Sequence, residues 1–103
     1  MFSFMVYSVF DSKVGAFLLP FFSRNRAVAL RSFTTAVQDV NSDFHRYAGD
    51  YTLFEIGEWA PEEGVYKPFE AKLSLGLASQ FLALAPGSEA EEVRNIRLAI
   101  GEE

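Results

Sequence analysis

Apolar residues recur along this chain at two periods, and the change from one period to the other sets its elements. Between Asn25 and Asp39, the residues Ala29, Leu30, Phe33, Ala36 and Val37, followed by Val40, return at three- and four-residue steps. That spacing puts them on one side of a helix, with Arg26, Arg31, Thr34, Thr35 and Gln38 on the other. The Asn25 side chain can accept a hydrogen bond from an unpaired amide of the first turn, so it is the predicted cap. The run Asp39-Val40-Asn41-Ser42-Asp43 competes for backbone bonds and ends the helix. The rest of the chain is expected to cover the apolar face of this helix or connect to it.

Elsewhere the period falls to two. Met5 to Phe10 is aromatic and β-branched, with Met5, Tyr7 and Val9 on one face and Val6, Ser8 and Phe10 on the other, which predicts a strand. Asp11-Ser12-Lys13 and Gly15 break it. Pro20 makes Ala16 to Phe22 an extended or turning approach to the helix. A polar loop follows over Asn41 to Asp50, with a helical turn around Phe44 to Tyr47.

Tyr51 to Trp59 reads as a second strand, with Thr52, Phe54 and Ile56 on one face and Tyr51, Leu53, Glu55 and Trp59 on the other. The turn Ala60-Pro61-Glu62-Glu63-Gly64 returns the chain as Val65 to Phe69, which Pro68 confines to an edge or terminates. Glu55, Glu58, Glu62, Glu63 and Glu70 read as solvated charges that guard this hairpin against strand-to-strand aggregation.

Lys72 to Leu84 fits both a third strand, through Leu73, Leu75 and Leu77, and a short helix, through Leu73, Leu77 and Phe81. The balance tilts to a helical turn after Ser74. Ser88-Glu89-Ala90-Glu91 has the form of a capping box, and Gly101 is a stop, so a helix is expected over 89–100 with a narrow apolar stripe of Val93, Ile96 and Ile100. The expected architecture is α+β: a strand, a central amphipathic helix and a β-hairpin in a small antiparallel sheet over 5–84. A capped C-terminal helix over 85–103 then docks or dimerises.

Composition narrows the chemistry. The chain has 103 residues, half of them apolar and 16% aromatic, enough for one core but not for an added catalytic lobe. Cysteine is absent, which removes disulfides, thiolate ligands and a cysteine nucleophile. The net charge of −5 is uneven: five cations face three acids in residues 1–48, and four face eleven in 49–103. Such a balance disfavours tight nonspecific nucleic-acid binding, because that affinity comes from cations displacing counterions. The longest apolar run, Val14 to Phe22, falls far short of the roughly 20 residues of a membrane span and contains a proline, and no secretory signal is expected.

His45 is the only histidine, so a multi-histidine metal site is excluded. With no glycine-rich phosphate loop and no nucleophile elbow, no enzymatic activity, metal or cofactor is expected. The candidate nucleic-acid contacts are Arg24, Arg26 and Arg31, then Lys13 and Arg46. Phe17, Leu18, Phe21 and Phe22 read first as a hydrophobic cover for the helix entrance. The sharper alternative is an aromatic platform beside Arg24 and Arg26 on which bases stack.

Taken together, "YSVFDSK", "RSFTTAVQD" and "DYTLFEIGEW", in that order over roughly residues 5–82, resemble the small nonstructural protein of gokushovirus-type microviruses, tailless phages with circular single-stranded DNA genomes. The leader Met1 to Phe4 and the tail after Pro86 depart from that pattern. The resemblance implies a non-enzymatic protein of the host bacterial cytoplasm, absent from the virion. It would bind DNA or associate with replication, acting in single-stranded DNA replication or packaging through single-stranded DNA, through phage or host replication proteins, or both. It supplies no catalytic residues. The alternative is an interaction adaptor that binds a host or phage protein and never touches DNA; a homodimer is plausible in either case.

Overall fold

A computed structural model describes residues 4–82. Its element order is β1 (Phe4–Asp11), β2 (Ala16–Phe17), β3 (Phe21–Ser23), α1 (Arg26–Gln38), α2 (Asp43–Arg46), β4 (Tyr51–Ala60) and β5 (Val65–Leu77). Short 3-10 turns cover Ala48–Asp50 and Ala78–Phe81. The architecture is α+β, as the periodicities require. The expected helix over 89–100 and its docking or dimerising role lie outside the described residues.

The sheet is antiparallel throughout and is built on β1. One side of β1 pairs with two short strands, β3 along Met5–Tyr7 and β2 along Phe10–Asp11. Its other side pairs with β4 over its whole length, and β5 closes the order as an edge. The edge position accommodates Pro68, which sits opposite Gly57 beside an irregularity in the ladder.

Helix α1 lies on one face of this sheet. Asn25 caps it, its side-chain oxygen accepting from the Val28 amide at 2.9 Å, and Asp39 ends it. Ala29, Leu30, Phe33 and Val37 are buried against Tyr7 and Val9 of β1 and Leu53 of β4. Burying each of the larger side chains contributes on the order of 1.5–3 kcal/mol. Phe81 and Ala78 complete the core from the second 3-10 turn, which Gln38 ties to the helix by donating from Nε2 to the Phe81 carbonyl at 3.0 Å. Phe44 of α2 fills the far end, its ring centroid 5.6 Å from Phe33 and 4.8 Å from Tyr51.

Four expectations change. Thr34 is fully buried rather than outward-facing, because its hydroxyl donates to the Leu30 carbonyl at 2.7 Å and so enters the core with its polarity satisfied. Val40, by contrast, lies past the helix end and is exposed. The stretch Leu73 to Leu77 is strand, not helix, and the helical turn begins only at Ala78. Trp59 shares no face with Leu53 and Glu55. Tyr7 stands opposite Glu55 whereas Val6 stands opposite Gly57, so Ile56 is an extra residue in β4, and this bulge reverses the alternation beyond it.

Candidate nucleic-acid interface

The five candidate cations occupy different environments. Arg26, the first residue of α1, points down to the sheet and donates from Nε to Glu55 Oε2 at 3.0 Å and from Nη2 to Oε1 at 2.9 Å. Tyr7, directly opposite Glu55 in the β1–β4 ladder, donates its hydroxyl to the same Oε2 at 2.9 Å. Glu55 is only 3% exposed. It is therefore the buried acceptor of a three-residue network, not one of the solvated hairpin guards, and Arg26 is committed to it. The two-residue alternation puts Glu55 on the core face; what makes this tolerable is a guanidinium with two matched donors.

Arg46 is exposed and folded back along its own turn, donating to Asp43 Oδ1 at 2.6 Å and to the Asn41 carbonyl at 3.1 Å. Lys13 sits in the turn after β1, where the Asp11 carboxylate accepts from its amide, and it borders a shallow pocket with Tyr47, Asp50 and Tyr51. Burial, and then the carboxylates of Asp11, Asp43 and Asp50, push the Tyr51 phenol above its ordinary value of 10.0. Arg24 and Arg31 are exposed and, among the described residues, have no ion-pair partner. They do not share a helix face, because Arg24 precedes the cap residue of α1.

The aromatic residues divide between the two faces of the sheet. Phe21 joins the core, stacked on Tyr7 with centroids 5.6 Å apart. Phe22 points away from the helix, where it meets Trp59 edge-on at 5.8 Å. Together with Val6, Pro20, Ile56 and Tyr66 these two line an almost wholly apolar groove. Further along the same face, Phe17 packs against Phe10 at 4.9 Å and Phe54 at 5.4 Å, and Lys72 Nζ lies 5.9 Å over the Phe17 ring. No helix among the described residues covers this face. Phe22 is 51% exposed, and Phe17 and Tyr66 are 41% exposed. The expected cover for the helix entrance thus holds for Phe21 and for Leu18, which borders a pocket with Phe33 and Ala36 of α1, and fails for Phe17 and Phe22.

Sequence reasoning overlooked Trp59, Tyr66, Phe54 and Lys72 as members of this surface. The available signal was that β1 and β4 carry large apolar residues on both faces, while a single amphipathic helix can cover only one.

His45 presents Nδ1 to the Val37 carbonyl at 3.0 Å, so its ring serves the end of α1. No three His, Asp or Glu side chains converge as a cation site among the described residues. No helix among them is long and apolar enough to cross a membrane.

The sequence model of the family described as Phage ORF5 protein matches residues 4–81, the whole described fold apart from Leu82. The chain belongs to the Phage ORF5 protein family. No curated protein and no solved structure matches it. The family match covers both the Tyr7–Glu55–Arg26 network and the open aromatic face, so both features fall within the part of the chain that defines a Phage ORF5 protein.

Proposed function

We propose that this Phage ORF5 protein is a non-enzymatic nonstructural protein of a gokushovirus-type microvirus. In this reading it acts in the host bacterial cytoplasm, in viral single-stranded DNA replication or packaging, by weak binding to single-stranded DNA, to replication proteins, or to both. The observation that carries this reading is an open aromatic face on a chain in which Arg24, two residues beyond Phe22, and Arg31, on α1 at the other side of the sheet, are exposed with no ion-pair partner among the described residues. Single-strand binders combine cations for the backbone with rings for the bases. Arg26 drops out of the contact set because Glu55 holds it, and Arg46 and Lys13 remain secondary.

The test is a titration of labelled single-stranded DNA by fluorescence anisotropy at two salt concentrations. Two phosphate contacts give a log–log slope of about −1.4, or roughly sevenfold weaker binding for a fourfold rise in salt. Replacing both Arg24 and Arg31 with Ala should remove most of that slope. Binding without a salt slope, or binding that ignores both substitutions, removes these arginines from the interface.

A second reading, a protein adaptor that never contacts DNA, is favoured by the net charge of −5. It is also favoured by an apolar pocket of about 210 Å³ lined by Leu18, Leu19, Phe21, Phe33 and Phe44, with Leu19 90% exposed at its rim. Co-purification from a nuclease-treated lysate separates the two, since a protein partner survives the nuclease and a DNA-bridged one does not.

A further inference from the structure

We infer that the helix-free face of the sheet is the surface on which unpaired bases stack, with Trp59, Phe22 and Tyr66 forming one station and Phe17 with Lys72 a second. This rests on the single-stranded DNA reading above and specifies which part of the ligand each surface meets.

The geometry supports bases as the occupant. The first station is lined by Val6, Pro20, Phe22, Ile56, Trp59 and Tyr66, none of them charged, so no carboxylate there repels a phosphodiester. Its rings are held in place. Tyr66 donates its hydroxyl to the Ile56 carbonyl at 3.2 Å, and its ring lies so close over Gly57 that a Cβ built there would approach Tyr66 Cε1 to 2.5 Å. A ring fixed in this way loses little freedom when a base settles against it.

A cation borders the second station, where Lys72 stands over the Phe17 ring, and Arg24 lies two residues along the chain from Phe22 of the first. Exposed rings with cations at their margin suit a planar, π-faced, anionic polymer. A duplex keeps its base faces inside the stack and offers these rings nothing comparable.

The spacing also fits. Val6 pairs with Phe22 and Phe10 with Phe17, so four residues of β1 separate the stations, roughly 13 Å at about 3.3 Å per residue. Stacked bases rise about 3.4 Å each, so a strand following β1 spans both stations in about four steps. That is near the lower limit of about 4–16 nucleotides seen for small single-strand-binding modules.

Trp59 is the only tryptophan, so the unmodified full chain reports on its own groove. The experiment titrates it with an oligothymidylate of about ten nucleotides, following tryptophan emission and anisotropy of the labelled strand together. The expected result is saturable quenching that parallels the anisotropy, with a duplex of equal length producing neither at the same concentration. Phe22→Leu keeps the apolar contact but removes the ring, and it should weaken binding roughly tenfold with the salt slope unchanged. Lys72→Gln should lower the slope instead.

Because Phe22 is half exposed, Phe22→Leu should melt like the parent, and Phe17→Leu provides an independent ring deletion at the other station. Anisotropy that rises without quenching, or ring deletions that leave affinity intact, would overturn the stacking surface while leaving the DNA reading standing. Absence of any anisotropy change overturns both. Trp59 emission that is insensitive to DNA but shifts with protein concentration, in step with a doubled mass by light scattering, identifies a second copy as the occupant and also overturns the inference.

Discussion

Replacing Arg26 with Ala should be among the most destabilising single changes on the helix, although the residue reads in sequence as an outward-facing cation. The carboxylate of Glu55, its side chain 4% exposed, would keep the Tyr7 hydroxyl but lose two charged donors at 3.0 and 2.9 Å. Breaking one side of a buried pair costs about 3–5 kcal/mol, because the surviving charge is left in low dielectric. The Arg26 side chain is 18% exposed, so water can partly replace it, which places the expected loss at the low end, about 3 kcal/mol.

In a urea titration followed by Trp59 emission and far-UV circular dichroism, a slope of about 1.5 kcal/mol per molar turns this into a midpoint lower by about 2 M. A domain with only about 5–15 kcal/mol of total stability would feel that strongly. Removing the whole network through Arg26→Met, Glu55→Leu and Tyr7→Phe together should recover most of the loss, because no buried charge then remains. An Arg26→Ala variant within about 1 kcal/mol of the parent would refute the argument, since that is the range of a solvent-exposed pair.

Three further outcomes follow from the same structure. Asn25→Ala removes the acceptor for the Val28 amide and should lower the unfolding free energy by about 1 kcal/mol in chemical denaturation, with the denaturant slope unchanged. Gly57→Ala drives a Cβ to 2.8 Å from the Lys67 carbonyl and into the Tyr66 ring, so a loss of about 1–3 kcal/mol and a lower melting temperature are expected. The Tyr51 phenol holds its proton more tightly in the folded chain than at its ordinary 10.0. The stability this supplies is complete below pH 10.0 and is lost as the pH rises through the raised folded value. Tyr51→Phe should therefore flatten the decline of unfolding free energy above that pH relative to the parent.

The elements are largely legible in the sequence, because each rests on a local rule. Asn25 is a cap wherever a helix follows it, and the Met5–Phe10 alternation assigns Tyr7 and Val9 to one face whatever lies across from them. The proposed surface was legible only in part. Arg24 and Arg31 are exposed, but Arg26 has the same side chain and a nearby position, and no local pattern says that a strand 29 residues later presents a carboxylate to it.

Sequence alone determined the class of fold, the capped helix, the hairpin and the surplus of large apolar side chains, since propensity and periodicity act over a few neighbouring residues. Tertiary structure decided which charges cancel and which rings stay open. The Ile56 bulge turned Trp59 to the far face, and the ladder brought Tyr7 and Glu55 together beneath the first turn of α1. Both outcomes depend on register between distant segments, and a shift of one residue exchanges every inward side chain for its outward neighbour.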